Sequence, residues 1–169
     1  MIARAFAMLL TIAAASPAAG QVFGRDNDPD EPKKWVEFEA KPPAYPREDK
    51  LLQFEGAAAV AHRFFLDPDS LSVGGDGVVR YAVVVKAGGG ASNTSFEGIR
   101  CDVRQYKIYA VGRRDGTWTA ARDPQWRDID FRDANRPHNV LHRGILCEGR
   151  TPVKSARDAV NILRYGLKP

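Results

Sequence analysis

Two cysteines, Cys101 and Cys147, lie 46 positions apart and are the only ones in this 169-residue chain. Whether they can be joined depends on the compartment, and the N-terminus speaks to that. Met1-Ile-Ala-Arg4 is a short basic start, residues 5–15 are uncharged and mostly apolar, and Ser16-Pro-Ala-Ala-Gly20 is a small-residue, helix-breaking stretch. This is the three-part layout of a secretory signal peptide. Residues 1–20 are read as one, cleaved after Ala18 or Gly20. As a helix the apolar run would reach about 16 Å, too short for a hydrocarbon core of roughly 30 Å. No stable membrane insertion is expected after cleavage, and no cysteine stands at the cut to carry a lipid. Export to the periplasm or beyond puts an even cysteine count in an oxidising space, so a Cys101–Cys147 disulfide is expected. A redox pair would usually set the two cysteines two residues apart.

Residues 21–46 read as an extended arm. Asp26, Asp28, Asp30 and Glu31 lie among Pro29 and Pro32, and Lys41-Pro-Pro-Ala-Tyr-Pro46 favours extended or polyproline backbone. Trp35 and Tyr45 are expected over the edge of a domain spanning 47–169. In that domain Leu51–Phe54 and Ala57–Phe65 read as strands, and Asp67-Pro-Asp-Ser70 as a type I turn. Gly74-Gly-Asp-Gly77 is a turn, and Val78–Lys86 is the clearest strand. Val79, Tyr81, Val83 and Val85 share one face of it; Arg80, Ala82, Val84 and Lys86 share the other, which is expected to be only partly buried. Gly88–Gly90 is a connection, and Phe96–Arg104 and Gln105–Val111 continue the sheet. Arg113-Arg-Asp-Gly116 is a hairpin turn returning through Thr117–Thr119. Asn139–Cys147 is expected to be a short helix. Thr151-Pro152 is expected to open the C-terminal helix, with Ala156, Ala159, Val160 and Leu163 on its apolar stripe and Gly166 at its end. The class this implies is α+β: an antiparallel sheet of about five to six short strands, one helix packed on it, and one disulfide.

The charge narrows the chemistry. The net charge is +4, but the cations are scattered among acidic residues with no block of like charge, so nucleic-acid binding is not expected. Asp67–Asp76 fails the spacing of a calcium loop, and no glycine run ends in Lys-Ser or Lys-Thr as a phosphate loop requires. His138 and His142 stand four apart and could ligate a metal, yet Asn139 occupies the place where a zinc protease keeps its Glu. No cofactor is expected. Arg80, Glu97, Arg100 and His138 are polar residues next to the expected sheet, and a carboxylate beside a guanidinium can grip a polar ligand. The favoured reading of these residues is that Glu97 pairs with Arg80 or Arg100 as an internal brace.

Asp67–Ser70, Gly75-Asp-Gly-Val-Val-Arg-Tyr81, Phe96-Glu-Gly-Ile-Arg-Cys101, Tyr109-Ala, Trp118, Trp126, Pro137-His138 and Leu146-Cys147 resemble the CNP-one-like domain, a family of exported proteobacterial proteins. The resemblance runs from about Trp35 to Tyr165. It implies a single domain in the cell envelope and supplies no catalytic residues. The functional expectation is an exported, non-enzymatic domain that binds an envelope protein or a small polar ligand. A metal-binding stress protein using His138 and His142 is the alternative, and a hydrolase the less favoured one, since no Gly-x-Ser-x-Gly elbow is present.

Overall fold

A computed structural model describes residues 34–55, 62–130 and 137–166. The signal peptide, the first part of the arm, residues 57–61 of the second expected strand, and Asn135-Arg136 lie outside the described residues. The strands are β1 (Leu52–Phe54), β2 (His62–Val73), β3 (Val78–Ala87), β4 (Ser92–Arg100), β5 (Gln105–Gly112), β6 (Trp118–Ala120) and β7 (Arg127–Asp128). They form one antiparallel sheet in the order β1-β2-β3-β4-β5-β6, with β7 also on β5. Then follow α1 (Pro137–Gly144), a two-stranded ribbon of β8 (Cys147–Glu148) and β9 (Thr151–Pro152), and α2 (Ala156–Tyr165). This is the α+β arrangement the sequence implies. No helix among the described residues is long and apolar enough to cross a membrane.

The turns form where glycine makes them cheap. Gly77, Gly90 and Gly116 each take a positive φ, of 77°, 86° and 78°, which a side chain would oppose. Asp67–Ser70, expected as a turn, is instead an irregularity inside the long strand β2. Between the pairs Asp67–Ala82 and Ser72–Arg80, β2 uses four residues where β3 uses Tyr81 alone. Pro68 has no N–H to give the ladder and is tolerated at such a bulge. Ser70 repairs the gap: its hydroxyl accepts the Ala82 N–H at 2.7 Å and donates to the Asp67 carbonyl at 2.7 Å. Thr151-Pro152 does not open the last helix either. It pairs with Cys147-Glu148, and Ser155 caps α2 by accepting the Asp158 N–H. A hydroxyl before proline suits an edge strand as well as a helix start, and ribbon pairing decides between them.

One sheet face carries the core. Phe64, Leu66, Val79, Tyr81, Val83, Ile99 and Tyr106 pack with Leu141, Leu146, Val153 and Ala159 from the helical side. The Cys101–Cys147 disulfide joins the two layers, its cysteines 0% and 5% exposed. The opposite face is also covered, contrary to the partial burial expected of it: Arg80, Ala82, Val84 and Phe96 are all buried. The cover is the arm from Trp35 onward together with large side chains of β5 and β6. Trp118 donates its indole N–H to the Pro43 carbonyl at 2.9 Å and packs on Tyr45 and Phe96. Tyr45 donates to the Arg113 carbonyl at 3.1 Å. Close approach is possible because Gly98 has no side chain; a Cβ there would meet the Tyr109 hydroxyl at 2.8 Å.

Candidate functional site

Residues 95, 97 and 99 of β4 point to the helical side of the sheet, which carries Glu97 into the core at 3% exposure. α1 delivers His138 from its first turn, 7% exposed. The His138 imidazole Nε2 lies 2.7 Å from Glu97 Oε2, Tyr81 donates its hydroxyl to the same oxygen at 3.0 Å, and Ser95 donates to Oε1 at 2.5 Å. Tyr106 stacks on the His138 ring, centroids 3.7 Å apart. Burial alone would push the Glu97 carboxyl up. Attraction to His138 and the three donated hydrogen bonds outweigh it and hold the carboxyl below its ordinary range. Burial and the neighbouring carboxylate push the Tyr81 hydroxyl well up.

Arg80 and Arg100 lie on the other side of the sheet. Arg80 grips Asp76 with two nitrogens, at 3.1 and 2.6 Å, and donates to the Phe38 carbonyl at 3.0 Å. Asp76 in turn accepts the Phe38 N–H at 2.8 Å. Arg100 stacks on Trp35, 3.8 Å from guanidinium carbon to ring centroid, and pairs with Asp102 at 2.8 Å. The four residues singled out from the sequence therefore divide. Glu97 and His138 meet, and Arg80 and Arg100 fasten the arm. The favoured expectation, a Glu97–arginine brace, does not form; Glu97 is braced by His138. The cause is register: Arg80 pairs with Gly98 and Tyr81 with Glu97, so an even-numbered arginine and an odd-numbered glutamate face opposite ways.

Glu37, on the arm, escaped the sequence reading. Its carboxylate accepts from Lys107 at 2.9 Å, the Tyr109 hydroxyl at 2.8 Å and the Trp126 indole at 3.2 Å. Burial raises its pKa, but these donors prevail and lower it. Glu37→Ala leaves three donors without their acceptor and is expected to lower stability by about 1–3 kcal/mol, with a change in tryptophan emission as Trp126 loses its partner. Urea unfolding followed by fluorescence checks this.

The histidines do share one helix face, as their spacing suggests, but their Nε2 atoms go to separate acceptors. His142 Nε2 faces the Cys101 carbonyl at 3.3 Å, so it carries the proton. Burial, with Arg104 and Arg143 nearby, lowers the His142 pKa. Among the described residues no group of three or more His, Cys, Asp or Glu is placed to hold a metal ion.

One of the solvent-open concavities among the described residues lies beside the disulfide. A concavity of about 270 Å³ is lined by Arg104, His142, Arg143, Gly149 and Arg150. Arg104 closes the β4–β5 turn with φ 58°, and its carbonyl accepts the Ile129 N–H at 2.9 Å. Arg143 comes from the last turn of α1. Arg150 sits at the β8–β9 turn beside Gly149 (φ 64°) and donates Nε to the Asp102 carbonyl at 2.7 Å. The bond between Cys101 and Cys147 holds these three segments together. No sequence block announces the three arginines, because each belongs to a different element.

Fold and site together define a disulfide-closed α+β domain whose sheet is strapped on one face and helix-covered on the other. The family model for the CNP1-like family matches residues 30–164, and the chain belongs to that family. No curated protein and no solved structure matches it.

Proposed function

We propose that the chain is an exported, non-enzymatic domain of the cell envelope that binds a protein or a small polar ligand. The observation that carries this reading is the arginine-lined concavity held together by the disulfide. The His–carboxylate pair that a hydrolase would need lies in the core, with Tyr106 stacked over His138, so a substrate does not reach it. A buried disulfide favours an oxidising compartment.

Photo-cross-linking in intact cells tests the reading. A cross-linking residue at Val103, exposed in the turn before Arg104, is expected to give a discrete adduct that one at Asn93, also exposed, does not. No adduct at Val103, together with free thiols and cytoplasmic fractionation of the protein, would overturn it.

A further inference from the structure

We infer that the arm-covered face of the sheet is a peptide-docking groove, and that two copies of the chain exchange arms through it. This concerns the face away from the helices and stands apart from the binding proposed for the concavity. The groove belongs to the domain. Trp118, Phe96, Tyr109 and Trp126 form a row of rings with successive centroids 6.3, 5.5 and 6.4 Å apart. Lys107 and Arg100 hold their charges over the Trp126 end, 5.7 and 5.9 Å from that ring. Aromatic-lined grooves take extended, proline-containing peptides, which are already ordered and lose little entropy on docking. The arm meets this row in chain order. Trp118 donates to the Pro43 carbonyl at one end, Tyr109, Trp126 and Lys107 donate to Glu37 further along, and Arg100 stacks on Trp35 at the other end.

The arm is attached as a ligand is, not as a core element. Residues 34–47 hold neither helix nor strand. Among the described residues, every hydrogen bond between arm and sheet uses a side chain on at least one partner. The connector to β1, Glu48–Lys50, buries no residue. Its ion pairs to the sheet, Lys50 with Asp69 and Glu48 with Lys86, lie at the surface and hold it weakly. A segment with specific contacts and a surface hinge is suited to exchange between copies, because a second copy carries the same Trp35, Glu37 and Pro43 and repeats every contact. Trp35, Val36 and Phe38 remain 36%, 69% and 55% exposed on a single domain. That run of bare apolar surface is available for a second domain to cover, which favours the crossed pair. The short tether gives an arm an effective concentration in the millimolar range on its own domain, so exchange is expected as the protein approaches about 1 mM.

Two charge reversals separate exchange from seating on the same chain. Glu37→Lys sets an ammonium against Lys107, and Lys107→Glu sets a carboxylate against Glu37, so neither variant pairs its arm with its own domain. Mixed together, the two can exchange, and each arm then meets the opposite charge. Sedimentation of the oxidised chain lacking residues 1–20 is expected to show monomers for each variant alone and dimers for the equimolar mixture. The double variant Glu37→Lys with Lys107→Glu restores the pair and is expected to sediment as the wild type does. Circular dichroism establishes that each variant is folded. A second measurement needs no variant. Isotopically heavy and light wild-type chains are incubated together at about 1 mM, and a zero-length carbodiimide joins Glu37 to Lys107. Mass spectrometry is expected to find links between a Glu37 and a Lys107 of different isotopic mass. Links confined to residues of the same mass overturn the inference, as does a mixture of folded charge-reversed variants that stays monomeric.

Discussion

Replacing Cys101 and Cys147 together by alanine is expected to lower the stability of the folded chain by about 2–4 kcal/mol. The bond closes a span of 46 residues, which restricts the unfolded chain by roughly 4 kcal/mol in the loop-entropy model. Alanine is the right replacement, because both sites are buried and serine would add an unpaired hydroxyl there. Against a typical net stability of about 5–15 kcal/mol the loss is large, and the melting temperature should fall by about 10 °C. The bond also ties α1 and the β8–β9 ribbon to the β4–β5 turn, so its loss should loosen the arginine concavity before the strapped sheet. Hydrogen exchange would show protection falling first around Arg143 and Arg150 and last in β3. A variant as stable as the wild type, with uniform protection, would show that the bond is incidental.

Glu97→Ala is expected to cost about 3–5 kcal/mol, because it removes a buried carboxylate and leaves its hydrogen-bonding partners in place. His138, Tyr81 and Ser95 all point at that carboxylate and would lose it at once. The double variant Glu97→Leu with His138→Leu should be less destabilised than the sum of the single changes, since the buried imidazole is then removed together with the carboxylate it faces. A double-mutant cycle by urea unfolding measures that coupling; strict additivity would contradict the paired description. The pH dependence has a definite sign. The folded-state pKa of Glu97 lies below its ordinary 4.5, so between the two values the unfolded chain binds more protons. Stability from this group is therefore complete above about 4.5 and is lost as pH falls through the lower, folded-state value. Glu97→Gln should flatten this acid limb, which melting curves across the acid range would reveal.

The buried pair and the exposed arginines explain why the residues most visible in the sequence are structural while the accessible ones were overlooked. Glu97 and His138 drew attention because charged and titratable residues in apolar runs often mark sites. In this fold they lock α1 to the sheet. Arg104, Arg143 and Arg150 read as ordinary surface charge, 46 positions apart from first to last, until the disulfide sets them side by side.

Local chemistry was enough to establish β3 from its alternating valines, the β5–β6 hairpin from Asp115-Gly116, the end of α2 at Gly166, and the α+β class. The Cys101–Cys147 pairing followed from cysteine count and the reading of the N-terminus. Each depends on residues close together in the chain, or on a choice with one solution. Tertiary structure alone decided which faces meet. The bulge opposite Phe96–Glu97 inserts Tyr109 into β5 and places it on the arm side, where Glu37 finds it. Pro68 sits within a strand because Ser70 can bond Ala82 across the gap. Glu97 meets a histidine rather than an arginine because a one-residue difference in register reverses the side of the sheet a group occupies. Such outcomes depend on sums of contacts between distant segments, and no single stretch of residues contains them.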